Sequence, residues 1–453
     1  MPVHAIETRY RTNEMYALFT EEYKLQKWLD VEIALIKAHV KLGNIPPDAV
    51  DEVARKGKTS IVTLQRVKEI EREIHHDIMA MVKGFAEQCE GDTGKYIHLG
   101  ATSYDIVDTA WALIFKDALS LLEKRLKTLL EILTSHATSK RELVCVGRTH
   151  GQHAIPTTYG MKFANWADEF ARHLARLQDI KVRDVVGKFG GAVGTMASHV
   201  SSGIQLQRYI MDELGLIPNL ISTQIVHRDR HAEIMFWTAL VASTISKIAK
   251  EIRDLQRNEL AEMFEPFAKK QVGSSTMASK RNPHKSERLC GLYRLLAAHV
   301  MPAMENNALI EHERDLTNSS VERIMFPENF ILLDFMLVQF TSILQGIEIN
   351  KAGIRKNLEL TKGAIMSEYV MVELVGKGMS RQEAHEVLRQ VAIRCRQEGI
   401  SFKQGIQEDN RVGTYFKSNE IDDLFDPSRY IGAAPELVDR TVASIRDKWL
   451  KDE

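Results

Sequence analysis

The 453-residue chain is 44% hydrophobic and 27% charged, with a formal net charge of −1. That balance gives ample material for a globular core, and it excludes a chain-wide electrostatic surface for nucleic acid or acidic membrane while leaving room for a local basic pocket. The length favours about three domains, or one long helical bundle carrying most of the chain.

Cys89, Cys145, Cys290 and Cys395 lack metal-type spacing and read as reduced thiols. The first residues lack the apolar run of a signal peptide. The most apolar stretch, Ile234 to Ile245, is closed by Glu233 and Lys247 and falls short of the roughly 20 residues a membrane span needs. A cytoplasmic protein with no membrane and no nucleic-acid partner is expected.

Proline punctuates the order of elements. None occurs from Asp48 through Ile155, from Asn219 through Glu265 or from Glu328 through Asp426, and these intervals carry Leu, Ala, Ile, Glu, Lys and Arg at helical spacing. Residues 1–105 read as shorter helices around a Gly43-Asn44-Ile45-Pro46-Pro47 turn. From Ile106, apolar residues at Ala110, Leu113, Ile114, Leu121, Leu122, Leu126, Leu129, Leu130 and Leu133 describe a helix of about eight turns. Similar patterns run through 160–185, 229–263, 286–312 and 328–349, and strand alternation is nearly absent. Helices this long must bury their stripes on one another, so the chain reads as all-α: a central long-helix bundle, 106–355, flanked by smaller helical domains at 1–105 and 356–453. In the last segment Ser380 and Glu383 have the spacing of a capping box, and breaks fall at Gly376-Lys377-Gly378 and near Gly399. Several bundle helices are apolar on more than one face, which predicts association through the bundle.

The polar breaks between helices hold the chemistry. Arg9-Tyr10 and His75-His76-Asp77 would pass alone for a tail and a solvated face. His98-Leu99-Gly100-Ala101-Thr102-Ser103-Tyr104-Asp105 precedes the Ile106 helix, where Ser103 or Asp105 also suits an N-cap. Arg148-Thr149-His150-Gly151-Gln152-His153 places an imidazole of tunable proton affinity in a glycine-containing turn, with His153 as the weaker companion. Gln224, Arg228 and Arg230 open another helix, and 313–323 carries Arg314, Ser319 and Arg323. The stretch 269–288 concentrates hydroxyls, a glycine and cations between two helical regions, a place for anion binding rather than core packing.

Gly273-Ser274-Ser275-x-Met277-x-x-Lys280-x-Asn282-Pro283 resembles the signature loop of the fumarase/aspartase superfamily, whose members eliminate fumarate from a succinyl group. Ala278 stands where that family commonly has proline, which implies a more mobile loop before closure. Within the superfamily the Thr149-His150-Gly151 and His98 to Asp105 segments resemble the adenylosuccinate lyase family, and the resemblance covers nearly the whole chain. It implies release of fumarate from adenylosuccinate, giving AMP, and from succinyl-aminoimidazole carboxamide ribotide. The roles it implies are Ser274 as general base, His150 as general acid oriented by Glu287, and Lys280 with Asn282 as donors to the developing charge. Thr102 and Ser103 would bond a substrate carboxylate with His98 near it and Gln224 at the reacting end, His76 would be a further catalytic residue of the substrate site, and Asp105 and Thr149 would bind substrate. Arg9, Tyr10, Arg314, Ser319 and Arg323 would hold the nucleotide. No cofactor or metal is implied, and a homotetramer would complete each site with segments from several subunits. The rivals are superfamily lyases acting on argininosuccinate, aspartate, malate or carboxymuconate, and a non-catalytic helical scaffold. The phosphate-binding set argues against the first group, and the joint presence of Ser274, His150, Lys280 and Asn282 against the second.

Overall fold

A computed structural model describes residues 4–199, 201–268, 270–277 and 279–451, with the side chain of Ser418 excepted. Lys269 and Ala278 lie outside the described residues, and so does the expected effect of Ala278 on the signature loop. The fold is all-α. The principal helices are α1 (Glu21–Lys41), α2 (Leu64–Ile74), α3 (Asp77–Ala86), α4 (Ser103–Ser139), α5 (Tyr159–Arg183), α6 (Asp229–Leu255), α7 (His284–Ala298), α8 (Val300–Ala308), α9 (Thr317–Gln345) and α10 (Arg381–Glu398).

Side-chain caps explain several of the starts. Thr20, Thr63, His76 and Ser380 each accept a backbone N–H from the first turn that follows, worth about 1 kcal/mol apiece. α4 is 37 residues long, about 55 Å, because its apolar stripe meets neither Gly nor Pro.

Several elements depart from expectation. The helix read as 328–349 begins at Thr317 and contains Pro327, whose fixed φ is compatible with helix although it withholds one hydrogen bond. The stretch 286–312 breaks at His299, and Pro302 lies in the first turn of α8, where its missing N–H costs nothing. α6 stops at Leu255, ahead of a short strand pairing Met263–Phe264 with Glu348–Ile349. Most consequential, Val144–Thr149 (β1) and Gln152–Thr158 (β2) form an antiparallel hairpin that alternation did not reveal.

By length and mean hydropathy, 1.2 and 1.3, α6 and α9 are long and apolar enough to cross a membrane, against the expectation drawn from 234–245 alone. Their buried polar groups are those of core helices. Asn329 Nδ2 donates to Thr238 Oγ1 at 3.1 Å, and Asp334 pairs with Arg125 Nε at 3.0 Å.

The chain forms two compact units. The first comprises Met1–Leu126, His173–Ile245 and Gly291–Val338; the second comprises Lys127–Arg172, Ser246–Cys290 and Gln339–Glu453. In the first, Trp111, Phe115, Phe326 and Phe330 interlock, with Phe115 edge-on to Phe326 at 4.9 Å between centroids and stacked on Phe330 at 5.4 Å. Beside them runs a buried ion network. Arg228 donates to both Asp108 oxygens at 2.9 Å and to Glu322 at 2.8 and 3.3 Å, with all three side chains almost wholly out of solvent. In the second unit Val370, Leu374, Leu388, Val391, Phe402 and Ile406 build the C-terminal core. The hairpin there is fixed by Glu262, fully buried, which accepts from Arg148, from Tyr159 Oη at 2.9 Å and from Asn357 Nδ2 at 2.7 Å.

Replacing Arg228 by Met leaves two buried carboxylates without a counter-charge and is expected to cost about 3–5 kcal/mol in chemical denaturation. Burial alone would raise the Glu322 carboxyl above its ordinary 4.5, but Arg228, then His231, hold it down at about 2. The folded value lies below the unfolded one, so the stabilisation is complete above about pH 4.5 and is lost as pH falls toward 2. Thermal unfolding followed across that window should show the loss, and Glu322→Gln should flatten it.

Candidate active site

The first unit holds a cavity of about 640 Å³. Its polar wall is made by His75, His76, Asp77, Ser103, Gln224, Arg314, Ser319 and Arg323, and its apolar wall by Trp28, Val107, Ala110, Trp111 and Ile114. Sequence reasoning had nominated His76, Ser103, Gln224, Arg314, Ser319 and Arg323 from segments far apart in the chain, and the fold brings them together.

Several of these side chains are held from behind. Arg314 lies over the Tyr104 ring at 3.6 Å and donates to Gln224 Oε1 at 2.8 Å, while Gln224 Nε2 donates to the Ala192 carbonyl at 2.9 Å. Arg323 donates to Asp77 Oδ2 at 2.5 Å and reaches Ser319 Oγ at 3.4 Å. Burial would raise the Asp77 carboxyl, yet Arg323 holds it below its ordinary value. His76 caps α3 through Nδ1, which accepts the Met79 N–H at 3.3 Å. The neutral ring therefore carries its proton on Nε2. Glu322 also lines the cavity, but Arg228 has neutralised it from behind.

Sequence reasoning missed Tyr104 and Asp77 as members of this wall, although both stand inside motifs it quoted. It also missed Trp28 and Trp111, which no local pattern separates from ordinary core aromatics.

Other nominated residues of this unit lie elsewhere. Arg9 and Tyr10 do not line the cavity; Tyr10 packs on Phe335 with centroids 5.6 Å apart. Asp105 is fully buried and engaged internally: it accepts from Lys188 Nζ at 2.7 Å, Gly190 N at 2.8 Å, Gly191 N at 3.1 Å and Thr102 N at 2.8 Å. It thereby fixes Thr102 through the backbone. Arg228 is structural, and Arg230 bonds the Arg183 carbonyl.

The second unit carries the remaining nominees. Thr149 pairs with Gln152 across a two-residue turn made by His150 at φ 53° and Gly151 at φ 74°. Positive φ at both central positions is the type I′ geometry that matches strand twist. Gly147 marks a bulge where an added Cβ would sit 2.7 Å from the Ile155 carbonyl oxygen, and the tip holds the His150 imidazole in solvent. Glu287 stands exposed in the first turn of α7. Among the described residues no hydrogen bond or ion pair joins it to His150, so the orienting contact implied by the resemblance is not made within this chain.

The signature loop is closed at its neck. Asn282 Nδ2 donates to the Gly273 carbonyl at 2.9 Å, Gln256 holds the Arg281 carbonyl at 2.9 Å, and buried Glu265 accepts from Ser286 N at 3.0 Å. Asn282 is thus a loop brace here. Ser274 Oγ accepts the Thr276 and Met277 backbone N–H groups at 3.2 and 3.1 Å. Two donors converging on one hydroxyl oxygen favour its anionic form. Lys280, Asn282 and Glu287 line an open recess of about 660 Å³ together with Met277 and Arg281; Ser274 does not. A Cβ at Gly273 would fall 1.9 Å from the Lys280 carbonyl oxygen. Gly273→Ala is therefore expected to open the neck and lower turnover by at least about tenfold while shifting the melting temperature little, because the contact it breaks lies in an exposed loop.

Residues 7–301 match the family described as Lyase, and residues 363–441 match the family described as Adenylosuccinate lyase C-terminus. The chain is 52% identical over 447 residues to the adenylosuccinate lyase of Pyrococcus abyssi, covering 99% of each. It is 47% identical to that of Methanocaldococcus jannaschii, covering 99% of this chain and 97% of the relative. Among solved structures it is similar to a fumarate lyase from Mesorhizobium sp. BNC1, with TM-score 0.88, 29% identity and coverage of 98% of this chain and 100% of that one. It is similar also to 3-carboxy-cis,cis-muconate lactonizing enzyme from Pseudomonas putida, with TM-score 0.88, 30% identity and coverage of 98% and 99%. The backbone is thus common to several chemistries, whereas the higher identities and the C-terminal match separate one of them, and the chain belongs to the adenylosuccinate lyase family.

Proposed function

We propose that the chain eliminates fumarate from adenylosuccinate, giving AMP, and from succinyl-aminoimidazole carboxamide ribotide, giving aminoimidazole carboxamide ribotide. The observation that carries this reading is the convergence of Gln224, Arg314, Ser319 and Arg323 with His76 and Ser103 on one cavity. Guanidinium groups presented beside a hydroxyl suit a phosphorylated nucleotide, and a small dicarboxylate would have no use for that set.

The chemistry divides as follows. Ser274, made more acidic by the two backbone N–H groups on its oxygen, takes the Cβ proton as the alkoxide. The electron pair left on Cβ moves toward the adjacent carboxylate, and Lys280, with Asn282 released from the loop neck, stabilises that charge; one well-placed donor is worth about 3–4 kcal/mol. Collapse of the pair forms the C=C bond of fumarate and breaks the C–N bond. His150 gives its proton to the departing nitrogen, with Glu287 orienting the imidazole. Thr102 and Ser103 hold a carboxylate of the succinyl group with His98 near it, Asp105 keeping Thr102 in place from behind, and Thr149, Arg9 and Tyr10 reach the substrate from other copies of the chain.

An exposed His150 that no hydrogen bond or ion pair engages among the described residues suits a site completed between copies of the chain. A homotetramer, with 106–355 as its oligomerisation core between the 1–105 and 356–453 segments, is part of this reading, as are a cytoplasmic location and no membrane partner.

Purified protein offered adenylosuccinate, argininosuccinate, aspartate and malate should release fumarate from the first alone; release from another, with none from adenylosuccinate, overturns the assignment. Ser274→Ala and His150→Ala should each lower kcat by about 10²–10⁴-fold with nucleotide binding retained. Normal turnover in either variant removes that residue from its role.

A further inference from the structure

α1 carries one carboxylate that solvent does not reach, Glu32, at 0% exposure. Both of its oxygens go to a single residue of another segment: Oε2 accepts the His98 backbone N–H at 2.9 Å, and Oε1 lies 2.7 Å from His98 Nδ1. His98 needs this grip, because its φ of 65° is one that a side chain with a Cβ adopts at a cost. The residues after it are clamped in the same manner. His39 Nε2 lies 3.2 Å from the Leu99 carbonyl oxygen, Ser198 Oγ donates to the Gly100 carbonyl at 2.9 Å, and Asp105 takes the Thr102 N–H at 2.8 Å. The ring of His199 lies against Gly100 so closely that a Cβ there would sit 2.2 Å from it. The turn that ends in Thr102 and Ser103 is therefore built to a fixed shape, and Glu32 is its deepest anchor.

With both Glu32 oxygens accepting from His98, Nδ1 carries a proton and Nε2 is the nitrogen His98 has left to present. Burial by itself opposes a charged imidazole. The Glu32 hydrogen bond and charge, then the more distant Asp105 charge, outweigh it and raise the proton affinity of His98 above the ordinary imidazole value. Asp105 is itself matched by Lys188, and among the described residues the rings of His39 and His199 and the Tyr104 phenol also border the turn.

We infer that Glu32 is a positioning residue for the elimination: its grip on the backbone N–H and Nδ1 of His98 fixes the ring so that Nε2–H of the imidazolium assists Thr102 and Ser103 in holding a carboxylate of the succinyl group. This rests on the reading of 98–103 as the segment that receives the succinyl end. Glu32 never touches the substrate. Its effect reaches the reaction through His98, and it weakens as pH rises and the imidazole loses its charge.

The test is Glu32→Gln, which keeps the shape and the hydrogen-bonding capacity and removes the charge. KM for adenylosuccinate should rise about tenfold or more with kcat changed less, and the alkaline limb of kcat/KM should move down by about one pH unit, the size expected for loss of one close counter-charge. In protein with ring-labelled histidine, the NMR titration of His98 should move to lower pH by the same amount, and Glu32→Asp, shorter but charged, should recover most of that shift. In a His98→Asn background Glu32→Gln should add no further rise in KM. An unchanged KM and pH limb, with only a lower melting temperature, would reduce Glu32 to a structural anchor and overturn the inference. If Glu32→Gln does not fold, the wild-type titration decides: His98 titrating at or below the ordinary imidazole value overturns it. A wild-type protein inert toward adenylosuccinate would sink the proposed function instead, while the titration of the variants would still report whether Glu32 governs His98.

Discussion

The first unit depends on one buried guanidinium. Hydrophobic packing between long helices is non-directional and tolerates sliding, whereas Arg228 must meet Asp108 on α4 and Glu322 on α9 at hydrogen-bonding distance. Those contacts set the register of two helices against the residue that precedes α6. Tyr104 lies one turn before Asp108, Ser319 lies one turn before Glu322, and Arg323 follows it. The ion network and the cavity wall are therefore parts of the same helical turns, and the aromatic interlock of Trp111, Phe115 and Phe326 fills the space beside them.

The network also tempers the charge of the cavity. Glu322 faces it, but with Arg228 behind, its charge is compensated, and Asp77 is compensated by Arg323. Arg314 bonds an amide and lies on an aromatic face, with Asp315 beside it, so its guanidinium keeps donors for an incoming anion. A phosphate entering there exchanges one carboxylate for a more highly charged group at Arg323, and Ser319 already lies within reach of that guanidinium.

Most helices were legible because their apolar stripes recur at three and four residues without a proline. What escaped has identifiable causes. The hairpin is short, its alternation is interrupted by the Gly147 bulge, and β2 contains Pro156, so it did not read as a strand pair. A proline is usually a boundary, so the pattern reads as starting after Pro327, yet buried residues on both sides sustain α9 through it. The site residues that form the cavity were found because their motifs are local strings. The partners that hold them, Asp108 for Arg228 or Glu32 for His98, are separated by scores of residues and leave no local signature. Asp105 shows the opposite case: a residue marked by its motif whose carboxylate is enclosed by Lys188 and backbone N–H groups.

The tip of the β1–β2 hairpin narrows what can replace its imidazole. A left-handed backbone is tolerated by glycine, asparagine and aspartate and resisted by branched or bulky side chains, so position 150 is filtered by conformation before it is filtered by chemistry. Small polar replacements there preserve the turn while removing the imidazole, so the hairpin can stay intact after the ring is gone.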